Sequence, residues 1–200
     1  LDQFGCEADL SRLTWIDKLA SRALRIGQLV EVEEVADIPT DSARLRTALQ
    51  HTARLVMDIY GDQLKAPRQG AGAATTSRFG NSAPRYSTPY NNITRARVPG
   101  GVLPAELIEP LSQIAHHAEG FLTALRAISK ALRSQIKDKP DEARRLSTLY
   151  AQIGALAPRL EGVHATVSLL LQDAPEGAAP AAKWFTLEID GDYIVVKAHA

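Results

Sequence analysis

Two hundred residues, 45% of them hydrophobic, are enough for one domain with a sizeable core, and 23 basic against 23 acidic side chains leave no net charge. The single cysteine, Cys6, excludes an internal disulfide and cannot by itself hold a zinc ion or an iron–sulfur cluster. No apolar run approaches the ~20 residues that span a bilayer, and Leu1 to Leu10 lacks the basic start and apolar middle of a signal peptide, so a cytoplasmic chain without a membrane partner is expected.

The chain starts at Leu1 and its only methionine is Met57, which reads as a piece excised from a longer protein. Asp9 or Ser11 is positioned to cap a first helix, in which Leu10, Leu13, Ile16, Leu19, Ala20, Ala23, Leu24 and Val30 recur at helical spacing. Trp15, beside that stripe, reads as a core residue. Glu31 to Pro39 carries four acids and ends in Ile38-Pro39, where the residue before proline is steered away from helix. This stretch predicts a linker. Thr40 or Asp41 then caps a second helix with Leu45, Leu49, Thr52, Leu55, Val56, Ile59 and Tyr60 on one face and Gly61 near its stop. His51 lies near that stripe without a partner at ligand spacing and reads as a structural histidine.

From residue 65 to 103 helical periodicity gives way to glycine, alanine, serine, asparagine and proline. Charge is concentrated there: Lys65, Arg68, Arg78, Arg85, Arg95 and Arg97 occur with no acid between Lys65 and Arg97, leaving minus six for the rest. Phe79, Tyr86 and Tyr90 interleave with them. Cations alternating with flat rings suit single-stranded nucleic acid, because charge follows phosphates and rings stack on bases. A solvated loop whose arginines confer solubility and whose rings are pinned to the body has the same composition. Long connections of this kind are mobile or functional.

Residues 104–172 predict a helical hairpin. Leu107, Leu111, Ile114, Ala118, Phe121, Leu125, Ile128 and Leu132 form one seam, and Leu146, Leu149, Ile153, Leu156, Leu160, Val163, Val167 and Leu170 form its mate across the turn at Lys137–Asp141. Each arm is expected to reach roughly 45 to 50 Å and to project from the body. Pro104 opens the first arm, Pro110 delays its regular part, and Pro158 kinks the second. His116 and His117 are adjacent and cannot chelate one ion as an i, i+4 pair does. Residues 183–200 predict a β-hairpin about Asp190-Gly191-Asp192, with Phe185, Leu187 and Ile189 on one face. The fold class expected is mainly α, with a long antiparallel helical hairpin and a small C-terminal β-hairpin.

No phosphate loop, nucleophile elbow, H-E-x-x-H or cysteine–histidine cluster occurs. Neither a catalytic residue nor a metal ligand is assigned, and the chain alone is expected to be inert.

Four features resemble the arch domain of bacterial DinG helicases, relatives of the XPD iron–sulfur helicases. Leu1-Asp2-Gln3-Phe4-Gly5-Cys6-Glu7-Ala8-Asp9-Leu10 resembles the segment after that family's acidic box. Leu103-Pro104-Ala105-Glu106-Leu107 resembles the start of the arch's long helices, and Pro180-Ala181-Ala182-Lys183-Trp184 resembles the junction back to the motor. The order of helices, loop, helical hairpin and β-hairpin is also similar. The resemblance implies a parent ATP-dependent 5′–3′ DNA helicase with a role in DNA repair, carrying ATP, magnesium and a 4Fe-4S cluster outside this stretch. Its implied partners are single-stranded DNA and the remaining helicase domains, with the arch guiding the strand as a monomer. Lys65, Arg68, Arg78, Phe79, Arg85, Tyr86, Tyr90, Arg95 and Arg97 are the residues expected to touch DNA.

An alternative is a helical protein–protein interaction or oligomerisation module. That reading needs a second apolar stripe, for which Leu122, Ala124, Ala131, Leu169 and Leu171 are the candidates. An inserted arch further predicts that Leu1 and Ala200 lie at one end of the fold, with the turn near Lys139 far from both.

Overall fold

The computed structural model describes residues 6–65, 93–173, 181–190 and 193–200. Its elements run β1 (Glu7–Asp9), α1 (Thr14–Leu29), α2 (Ile38–Lys65), β2 (Ile93–Arg97), α3 (Ala105–Asp138), α4 (Ala143–Leu171), β3 (Trp184–Asp190) and β4 (Tyr193–His199). The chain is mainly α, as the periodicity implied. No helix among the described residues is long and apolar enough to cross a membrane.

The hairpin is α3 and α4. All eight residues of the first-arm seam are buried. In the second arm Leu146, Ile153, Leu160, Val163, Val167 and Leu170 are buried, and Leu149 and Leu156 are partly so. At 1.5 Å per residue, 34 residues make α3 about 51 Å long. Contrary to the expectation of a free arm, most of that length is embedded. Helix α2 packs along α3, and Asp41 reaches His117 (3.1 Å) near the middle of it. Only the end near the turn stands clear of the body, and every residue from Lys137 to Glu142 is exposed.

Both internal prolines are absorbed without a break. Pro110 lies inside α3 and Pro158 inside α4, each helix running on through it. With no N–H on Pro158, the carbonyl of Gly154 lacks its intrahelical donor.

The acidic stretch 31–39 is no linker. Residues Glu33–Asp37 form a 3₁₀ turn that runs directly into α2 at Ile38, and Val35 is buried by it. Gly27 makes this seat possible, since a Cβ there would meet Val35 Cγ1 at 2.0 Å. Ile38, although it precedes proline, occupies the first position of α2, where a following Pro at the helix start costs no hydrogen bond. Gly61 lies within the last described turns of α2, which runs to Lys65.

The C-terminal hairpin forms as read, with Asp190 opposite Tyr193. It is not alone. Two short strands that the periodicity missed complete a four-stranded antiparallel sheet of order β1-β4-β3-β2. One of them, β2, lies inside the stretch read as a loop. Phe185 and Leu187 face the helices and are buried, with Phe185 against Tyr60 of α2 at a ring separation of 5.5 Å. Lys183 is buried and donates from Nζ to the carbonyl of Gln172 (2.7 Å), placing a cation at the C-terminal end of α4 where the helix dipole favours one. Cys6 and Ala200 exchange two backbone hydrogen bonds (2.9 and 3.2 Å), so the first described residue and the last lie side by side; Leu1, expected at the same end as Ala200, lies outside the described residues.

Candidate nucleic-acid interface

Side chains alternate across a strand, so the register of the sheet decides which residues share its outer face. Ala96 is buried, which turns Arg95 and Arg97 outward, and both are exposed. Arg97 stands opposite Trp184, Trp184 opposite His199, and His199 opposite Glu7. One row across four strands thus holds a guanidinium, two flat rings and a carboxylate. The next row is Arg95, Thr186, Lys197 and Asp9.

Within this face the polar groups are tied together. The Trp184 and His199 rings stack at 5.0 Å with 4° between their planes. His199 Nε2 lies 2.9 Å from Thr186 Oγ1 and its Nδ1 3.8 Å from Glu7. Lys197 Nζ bridges Glu7 (3.3 Å) and Glu188 (3.1 Å). Burial draws its pKa down, but the hydrogen bonds to Glu188 and Glu7 and the charge of both carboxylates prevail and raise it above the ordinary lysine value. Lys197 is therefore neutralised by its neighbours. Arg95 and Arg97 form no ion pair with a described residue, which leaves them as the cations of the face that no described carboxylate engages.

Of the residues expected to touch DNA, Arg95 and Arg97 are brought together on β2. Lys65 ends α2, with its side chain outside the described residues, as are Arg68, Arg78, Phe79, Arg85, Tyr86 and Tyr90. Trp184 and His199 were missed. Their pairing with Arg97 depends on strands far apart in sequence, and no spacing within one segment reveals it.

No protein-family model and no curated protein matches this chain.

A second cationic surface lies on the hairpin. Arg126, Lys130, Arg133 and Lys137 recur at gaps of four, three and four on α3, and all are exposed, so they form one stripe. Over residues 126–160 eight basic side chains face three acidic ones. This signal was legible as spacing, but the concentration of charge at 65–97 overshadowed it. The histidines contribute no site: His117 is held by Asp41 (3.1 Å), His51 is exposed, and no group of three metal-ligating side chains gathers among the described residues. Cys6 offers one thiolate where a 4Fe-4S cluster takes four, so these residues do not fit such a cluster.

Proposed function

We propose that this chain is an accessory arm of a DinG-like DNA helicase that guides single-stranded DNA past a motor core supplied elsewhere. The observation that carries the reading is the row Arg97, Trp184, His199, in which an exposed cation and flat rings share one sheet face. A strand laid across that face meets charge for its phosphates and a surface for its bases, the pairing that sequence-tolerant single-strand binding requires. The interaction-module reading draws less support, because Leu122 and Ala124, two residues it needs on a free stripe, are buried within the chain.

Anisotropy of a fluorescent oligo-dT across a salt series tests the proposal. Binding should weaken with salt, and Arg95→Glu with Arg97→Glu should reduce the log–log slope by about 0.7 for each phosphate no longer neutralised. Trp184→Ala should cost about 1–3 kcal/mol if a base stacks there. Unchanged affinity and slope in the arginine double variant would overturn the assignment of this face.

A further inference from the structure

A groove of about 370 Å³ runs between α3 and α4, from Leu122 to Arg133 on one helix and from Ile153 to Glu161 on the other. Its floor is apolar, from Leu125 and Ile153, and its α3 wall carries Arg126, Lys130 and Arg133. The opposite wall is low over Gly154 and Ala157 and ends at one carboxylate, Glu161, and a Cβ placed on Gly154 would meet nothing within 4 Å. Arg126 is engaged by Glu119 (2.7 Å), and Arg133 donates to the Tyr150 hydroxyl (2.8 Å). Neither Lys130 nor Arg133 meets a carboxylate among the described residues.

We propose that this groove docks an acidic amphipathic helix from a partner protein. Two antiparallel helices leave between them a channel that a third helix fills, apolar face down. The low wall at Gly154 and Ala157 admits the backbone of such a helix closely. Lys130 and Arg133 stand three residues apart on α3, so carboxylates at matching helical spacing on the occupant meet them in register. Three cations against the single carboxylate of Glu161 select an acidic occupant and disfavour a second copy of this hairpin, whose corresponding face is basic. Nucleic acid is the poorer fit. No aromatic ring is among the described residues that line the groove, so it offers bases nothing to stack on. This inference stands apart from the nucleic-acid reading of the sheet face.

The probe is a fluorescein-labelled designed peptide with leucines on one helical face and glutamates flanking them, titrated against the whole chain by anisotropy. Binding is expected, with loss of about tenfold in affinity for Lys130→Glu with Arg133→Glu, two exposed positions whose charge pairs are individually modest. Gly154→Leu is the decisive variant. It replaces a helix-weakening glycine with a good helix former in open space, so its melting temperature should hold or rise while peptide binding disappears. Full peptide binding by a folded Gly154→Leu protein would overturn the proposal, as would equal binding of a scrambled peptide of the same composition. Binding of oligo-dT that Gly154→Leu abolishes, or self-association that it abolishes, would assign the groove to nucleic acid or to a second copy instead and overturn it equally.

Discussion

Single residues carry testable consequences for stability. Tyr60 packs its ring on Phe185 (5.5 Å), but its buried hydroxyl has no hydrogen-bond partner among the described residues. Burial raises its pKa above 10.0, so the folded chain keeps the phenol proton at pH values where the unfolded chain has lost it. Lys197 is also raised in the folded state, so it holds its proton beyond the point at which an unfolded lysine releases one. The two effects have the same sign. Stability should be level up to about pH 10 and fall as pH rises through the raised values, because the unfolded state then binds fewer protons. Tyr60→Phe keeps the ring contact and deletes the unpartnered hydroxyl. We expect it to stabilise the fold by about 1 kcal/mol at neutral pH and to flatten the alkaline fall, both read from denaturation midpoints between about pH 7 and pH 11. A destabilised Tyr60→Phe protein would mean that the hydroxyl has a partner.

Among the elements, the 3₁₀ turn between α1 and α2 rests on one glycine. Gly27→Ala adds a methyl that would meet Val35 Cγ1 at 2.0 Å. Helix propensity favours alanine by roughly 0.5–1 kcal/mol, whereas overpacking of this kind costs about 1–3 kcal/mol, so a net loss of stability is expected. Val35→Ala in the same chain should recover much of it, and a double-mutant cycle would measure that coupling. Additive effects would show that Val35 does not seat on Gly27. Legibility in the sequence divides along the same line as locality. The seams of α3 and α4 were readable because a helix repeats every 3.6 residues within one segment, and Leu107 to Leu132 are buried as that period demands. The turn at Glu33–Asp37 was misread because four acids and Ile38-Pro39 signal a break, while burial of Val35 depends on Gly27 eight residues earlier. Strands β1 and β2, of three and five residues, carry too few alternations to register. They exist because β4 and β3 offer them an edge, a fact stored almost a chain length away for β1 and nearly half a chain length away for β2. The same non-locality hid the row from Arg97 to Glu7, although Arg95 and Arg97 themselves were readable as charge.

For the molecule as a whole, packing is unevenly distributed along the hairpin, and this determines where the fold opens first. Up to Ile128, α3 has neighbours on more than one side: α2, α4 and the 3₁₀ turn. Ile128 is itself near Gly27 and Val35. Beyond Leu132 each arm has chiefly the other arm to bury against, and the residues from Lys137 to Glu142 are all exposed. Isolated helical segments of this length are marginal in water, so the turn end should open by local unfolding at a free energy well below the global one. Native-state hydrogen exchange is expected to rank amides of Ser134 to Tyr150 as the fastest among the helices. Those of Leu107 to Ile128 and of β3 and β4 should exchange only near the global limit. An occupant in the groove contacts α3 and α4 together along Leu125 to Ala157, so the acidic peptide should slow exchange at the turn end and leave the sheet unchanged. Oligo-dT bound at Arg97 and Trp184 should do the reverse, slowing β2 and β3 and leaving the turn end free. Uniform protection across the whole hairpin without ligand would show that the arms are stabilised by something other than this layered packing, and that the turn end does not open separately.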